Sequence, residues 1–206
     1  MTDESTIDYQ YDDASATHTH AYLWEPVCQM IEARPEKRIF ELGCGNGAFA
    51  RHLKHRGYQV EGVDPSEQGI QQARQADPSL PLEVGNAYDS LSERYGTFPL
   101  LVSLEVVEHV YYPKKYARCV ADLLEPGGMA VISTPYHSYL KNLVMALVGA
   151  MDTHFTALWD HGHIKFWSVK TLTQLFEEQG LRRVALKRVG RIPVLGKSMV
   201  LTFQKS

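Results

Sequence analysis

Residues 38–47 read R-I-F-E-L-G-C-G-N-G, and the reading of the fold rests on them. Ile39 and Phe40, ahead of Glu41 and Leu42, make a short apolar run of the kind found in buried strands. Gly43, Cys44, Gly45, Asn46 and Gly47 supply small, permissive residues for a tight turn, and Ala48 to His55 reads as a helix. Strand, glycine turn and helix together form a nucleotide-binding corner, because glycine lets backbone approach a ligand closely and a helix start offers unpaired N–H groups. Two fingerprints overlap here. Gly43, Gly45 and Ala48 fit the G-x-G-x-x-A of dinucleotide sites, whereas Gly43, Gly45 and Gly47 fit a tighter G-x-G-x-G. A packing turn in some other doubly wound domain is the bland alternative.

Glu41 separates the two fingerprints. Two residues before the first glycine, it ends the strand pointing into the crevice, where a carboxylate repels a pyrophosphate and suits a ligand with positive charge, such as an ammonium group. E-L-G-C-G-N-G resembles motif I of the class I S-adenosylmethionine (SAM) methyltransferases.

Length and composition set bounds. A chain of 206 residues is read as a single domain, with an N-terminal arm and helices over 1–35 and a lid insertion over 136–168. The net charge of −3 leaves no overall basic field, so nucleic acid is not expected as a partner. Three scattered cysteines, Cys28, Cys44 and Cys119, contain no C-x-x-C pair, which suggests a reducing cytoplasm over a disulfide framework. Met1 to Tyr11 is acidic and polar, unlike a signal or transit peptide.

Residues 1–15 are expected to form a mobile arm whose Tyr9 and Tyr11 can fold over a ligand. Between Ala16 and Ala33, Tyr22, Leu23, Val27, Met30 and Ile31 recur at helical spacing around Pro26, predicting one or two helices. The H-x-H pair His18 and His20 reads as a solvated face. Tyr58 to Val63 predicts the second strand, closed by Asp64. That acid lies roughly 20 residues past the glycines, where a carboxylate can take both ribose hydroxyls of a nucleoside. Capping the helix from Ser66 to Gln75 is its alternative role, with Ser66 as the other cap. Leu80 to Val84 is the third strand, followed by G-N-A at 85–87. Pro99 to Ser103 is the fourth, leading into L-E-V-V-E-H-V at 104–110. A helix from Pro113 to Leu124 and a P-G-G turn precede the fifth strand, Met129 to Ser133. Ser168 caps a helix to Gln179. Leu181 to Gly190 and Met199 to Gln204 predict an antiparallel hairpin closing the sheet.

Residues 142–151, N-L-V-M-A-L-V-G-A-M, are apolar almost all round yet too short to span a bilayer. His154, Phe155, Trp159, His161, His163, Phe166 and Trp167 come next. A lid over a hydrophobic acceptor or a patch resting on a membrane explains the segment; a core helix or a homodimer contact is the alternative.

Taken in order, the motifs are similar to those of class I SAM methyltransferases over most of residues 37–205. E-V-V-E-H-V resembles the E-M-L-E-H-V of the ubiquinone-biosynthesis O-methyltransferases, whose insertion after the fifth strand is also similar. The resemblance implies an α/β fold: a Rossmann-like, seven-stranded, mostly parallel sheet with an antiparallel last strand, helices on both faces and a helical lid after strand 5. It implies SAM contacts at Glu41, Gly43, Cys44, Gly45, Asp64, Pro65, Asn86, Ala87, Leu104 and Glu105, with S-adenosylhomocysteine as product. In the family's G-D-A the middle residue faces the adenine amino group; the carbonyl of Asn86 can accept that bond, with Asp89 as a fallback. Tyr22-Leu23-Trp24 stands where the family has an arginine, and the last strands bear little likeness.

In-line methyl transfer to an oxygen needs alignment and removal of a proton. Glu105, Glu108 and His109 are spaced i, i+3, i+4, one face of a helical turn. His109, with Glu108 beside it, is the candidate base. The same three residues are a candidate site for Mg²⁺ or another divalent ion, matching the E-x-x-E-H of related mitochondrial quinone enzymes. Small, hydrophobic or phenolic acceptors lead; a sugar, peptide or polar metabolite is the alternative, and an NAD-linked or non-catalytic Rossmann module the reading from another class. The chain is expected in the cytoplasm, with peripheral membrane contact through 140–167 as a further expectation.

Overall fold

The structure is a computed structural model describing residues 20–155, 158, 162–191 and 196–206. The acidic arm with Tyr9 and Tyr11, His18, Trp159, His161 and Pro193 lie outside the described residues. Helix α1 (His20–Glu32) precedes β1 (Arg38–Leu42), α2 (Ala48–His55), β2 (Gln59–Asp64), α3 (Glu67–Ala76), β3 (Leu82–Val84), α4 (Leu91–Tyr95) and β4 (Phe98–Leu104). Then come α5 (Pro113–Leu123), β5 (Leu124–Pro135), α6 (Tyr139–Leu147), α7 (Met151–Phe155), α8 (Val169–Glu177), β6 (Leu181–Val189) and β7 (Ser198–Lys205). The strands form one sheet in the order β3-β2-β1-β4-β5-β7-β6. β1 to β5 pair in parallel, and β7 runs antiparallel to both of its neighbours.

Alternation along the strands explains the layers, since successive side chains point to opposite faces of a sheet. Phe40, Leu101, Ile132 and Phe203 face α5 and α8 in one core, with Tyr116 and Phe176. Ile39, Leu100, Val131 and Val200 face the other core, with Leu23, Val27, Phe49 and Leu53 of α1 and α2. Cys28, Cys44 and Cys119 are all buried and free.

The segment around Pro26 is a single helix, one of the two forms expected. Several local expectations change. The third strand starts only at Leu82, because Leu80 N–H turns back to Asp77 O (3.2 Å). The five-residue α4 has no counterpart in the sequence reading; it is too short for apolar periodicity to register. β5 is assigned through P-G-G, yet its pairing jumps from Phe98–Leu124 to Leu100–Met129, so residues 125–128 still bulge opposite Pro99. Ser66, not Asp64, caps α3, its Oγ accepting from Gly69 N–H at 3.1 Å.

β1 and β4 lie side by side while their onward connections diverge, so the carboxyl ends of these two strands flank the topological switch point. A crevice there is where open α/β sheets bind ligands.

Candidate active site

The glycine corner is pinned by backbone. Gly43 N–H and Cys44 N–H both donate to Val63 O, at 2.8 and 3.1 Å, tying the turn after β1 to the end of β2. Gly43 has φ 83°, and a Cβ there would stand 2.4 Å from Val106 Cγ2, so only glycine lets Val106 close over the turn. Asp64 binds the corner from the other side: Oδ2 accepts from Gly45 N–H (2.8 Å) and Oδ1 from Ser66 N–H (2.9 Å). Glu41 is buried, and its Oε2 has no hydrogen-bond partner. Burial and the nearby Asp64 push its carboxyl well above the usual range, while Arg51 pulls it back. A cationic donor entering the crevice would satisfy that oxygen. Cys44 is buried and Pro65 exposed. Asn86 Oδ1 already accepts from Tyr88 N–H (3.1 Å), and Asp89 Oδ2 accepts from Asn86 N–H (2.7 Å). A carbonyl has two lone pairs, so Asn86 keeps one for a ligand. Ala87, in the turn after β3, and Leu104, the last residue of β4, are half-buried. Ala87 also borders a cavity of about 260 Å³ between α4 and α5. A larger concavity of about 470 Å³ along α3 is lined by none of these residues.

The loop after β4 departs from expectation. Residues 105–110 form a turn closed by His109 N–H to Val106 O (2.9 Å), not a helical face. Glu105 has φ 55°, the sole non-glycine positive φ among the described residues. Its Oε1 accepts from Ser133 Oγ (2.7 Å) and its Oε2 from Ser198 Oγ (3.1 Å). Each Glu105 oxygen is therefore held by a serine, and Glu105 is not among the residues that cluster with Glu108 and His109. Its place is taken by His163: potential ligand atoms of Glu108, His109 and His163 all lie within 4.8 Å of one another. Residues 162–168 deliver it as a strap. Ile164 N–H and Lys165 N–H both donate to Glu108 O (3.0 and 2.9 Å), and the Trp167 indole N–H donates to Val107 O (3.0 Å). The His109 and His163 rings lie 4.9 Å apart, edge to face. Only the H-G-H pair hinted at His163, and nothing local in the sequence joins it to His109.

Charge is scarce at this site. Burial, then Glu105, raises the Glu108 carboxyl well above its ordinary range. The Thr134 hydroxyl eases this without the geometry of a full hydrogen bond, and both Glu108 oxygens are buried without a partner. Burial pushes Glu105 up to about 7 against the pull of its two serines. His137 is lowered to about 4 by burial and then by Lys141; burial also lowers His154 and His163. His137 packs against the rings of Phe155 and Phe166, at 5.9 and 5.2 Å.

Residues 15–186 match the family model for a methyltransferase domain. The chain belongs to the class I SAM-dependent methyltransferases. The chain is 33% identical to a ubiquinone biosynthesis O-methyltransferase of Dinoroseobacter shibae over 157 residues, 73% of this chain and 62% of that one. It is 36% identical to the same-named protein of a Caulobacter species over 117 residues, 55% of this chain and 46% of that one. The chain thus spans about half to three-fifths of the length of these curated relatives. Magnesium protoporphyrin IX methyltransferase from Synechocystis, solved with bound S-adenosylhomocysteine, shares the fold at TM-score 0.64 and 16% identity, over 89% of this chain and 82% of that one. The crevice offers a positively charged cofactor such as SAM a buried carboxylate oxygen without a hydrogen-bond partner, at Glu41.

Gly43→Ala strains a left-handed backbone and strikes Val106, a cost of about 1–3 kcal/mol at such positions. SAM affinity by calorimetry should fall about 10- to 100-fold, with the circular dichroism spectrum retained. His137 gives a pH signature. Its folded value lies below the ordinary 6.5, so between about 6.5 and 4 the unfolded chain binds a proton that the native one refuses. Stability should fall as pH drops through that window, by about 1–2 kcal/mol after screening of a partly exposed group. Urea midpoints for wild type and His137→Gln should show a shallower slope in the variant.

Proposed function

We propose that the chain methylates an oxygen of a small, hydrophobic, phenolic acceptor. The observation that carries this reading is the meeting of His109, Glu108 and His163 at the carboxyl end of β4, beside the glycine corner and next to an apolar lid. When bound, SAM supplies a methyl group on a sulfonium, transferred in line to a nucleophile. His109 is the residue to accept the acceptor's proton, its ring braced by His163 and its backbone by the Val106 carbonyl. The buried Glu41 carboxylate disfavours a pyrophosphate, and with it the NAD reading.

The lid supports a greasy acceptor over a sugar, peptide or other polar metabolite. On α6 and just after it, Leu143, Val144, Leu147 and Val148 are exposed and not packed on the sheet, with Leu147 at 77%. No helix among the described residues is long and apolar enough to cross a membrane. An apolar face of this kind suits shallow contact with a lipid surface, from which a water-insoluble acceptor would be drawn. The named relatives support the same acceptor class.

A divalent ion at the same residues is the alternative to the base role of His109. Glu108, His109 and His163 are the residues that would hold it, and its chemistry would be to lower the pKa of an acceptor hydroxyl. Two imidazoles and one carboxylate suit a transition ion better than Mg²⁺, which prefers oxygen ligands.

With radiolabelled SAM and a lipophilic catechol, His109→Ala should lower kcat at least about 100-fold while leaving the SAM dissociation constant within twofold. Full turnover in that variant removes the base assignment, and loss on chelation alone assigns the ion. In vesicle sedimentation, wild type should pellet with phosphatidylglycerol liposomes and Leu143→Asp/Leu147→Asp should not. Equal recovery in the supernatant leaves the exposed face to a second copy of the chain, checked by light scattering.

A further inference from the structure

We propose that Glu105 is a positioning residue whose carboxylate latches the loop at 105–110 onto β5 and β7, leaving Glu108, His109 and His163 to do the chemistry. This rests on the methyl-transfer reading above and refines its site. By spacing alone Glu105 is the first acid of an E-x-x-E-H ligand set. By geometry each of its two oxygens is already held by a serine hydroxyl. The Ser133 hydroxyl donates to Oε1 at 2.7 Å and accepts from Glu105's own N–H at 3.0 Å, a closed ring between one side chain and one residue. The Ser198 hydroxyl donates to Oε2 at 3.1 Å and lies 3.4 Å from the Tyr22 hydroxyl of α1. Three elements distant in sequence thus converge on one carboxylate.

The backbone supports the same conclusion. A left-handed φ of 55° is one that glycine adopts freely and glutamate adopts only when its surroundings over-determine it. If the turn were the sole requirement at 105, glycine would meet it better. The side chain is therefore what the position needs, and it points at two serines. The latch acts on the residues immediately after it. Val106 covers Gly43 of the cofactor turn. Val107 O and Glu108 O receive the strap from Trp167, Ile164 and Lys165. His109 comes next. Fixing Glu105 fixes the lid, the base and the cofactor turn relative to one another.

The latch separates stability from catalysis, and substitution of the full-length chain tests it. Glu105→Gly removes the latch but relaxes the backbone, so its urea midpoint should equal or exceed wild type. Its kcat should fall at least tenfold, with KM for SAM within threefold, and amide hydrogen exchange over 104–111 should speed at least tenfold. Glu105→Gln keeps one acceptor and gains donors that two rotatable hydroxyls can meet, and should recover most of the kcat and the slow exchange. Ser198→Ala, away from the loop backbone, should raise exchange over 104–111 by an intermediate amount. A Gly variant with wild-type kcat and exchange overturns the latch. So does a Gln variant that exchanges slowly yet is as inactive as Gly, since that marks a need for the carboxylate's charge. The exchange measurement requires no acceptor, so it still decides the latch if wild type methylates no phenol.

Discussion

The carbonyl oxygen of Val63 is the constraint on which the cofactor end of this molecule depends. Accepting both Gly43 N–H and Cys44 N–H, it turns the chain out of β1 over the end of β2, and Asp64 then takes the next free amide, Gly45 N–H. Three backbone donors of the loop between β1 and α2 are thereby satisfied by the end of a neighbouring strand. The arrangement excludes side chains at Gly43 and buries Glu41 beside Asp64, two acids whose proximity Arg51 eases and a cationic or donor-rich ligand would relieve further.

The acceptor side is organised differently. It is a clamp between two segments more than fifty residues apart, the loop after β4 and the strap before α8, joined by three hydrogen bonds to the carbonyls of Val107 and Glu108. Carbonyls left unpaired by a loop that is neither helix nor strand would be costly to bury; the strap satisfies them and brings His163 to His109. Structural and chemical roles are therefore divided along one short stretch, with Glu105 turned to the sheet and Glu108 and His109 turned to the strap.

Much of this was legible residue by residue. Apolar runs in β1 and β4, the glycines at 43, 45 and 47, and the acid at 64 each carry a local physical meaning, so these strands, their corner and the closing antiparallel hairpin could be read from the chain. Pro26 left one helix or two open, and packing of Leu23, Val27 and Ile31 in one core goes with a single one. The error came where local pattern and tertiary demand part. Spacing of i, i+3, i+4 suggested one helical face for Glu105, Glu108 and His109, but a left-handed residue at 105 breaks the repeat.

The sequence by itself determined the alternation of strands and helices and the glycine corner, because these stem from periodicity and from glycine's backbone freedom, which act within a few residues. Tertiary structure alone decided which side chains share the acceptor site. Ser133, Ser198 and His163 acquire their roles by lying across the sheet from residues far away in the chain, and hydrogen-bond geometry between distant segments leaves no mark on local pattern.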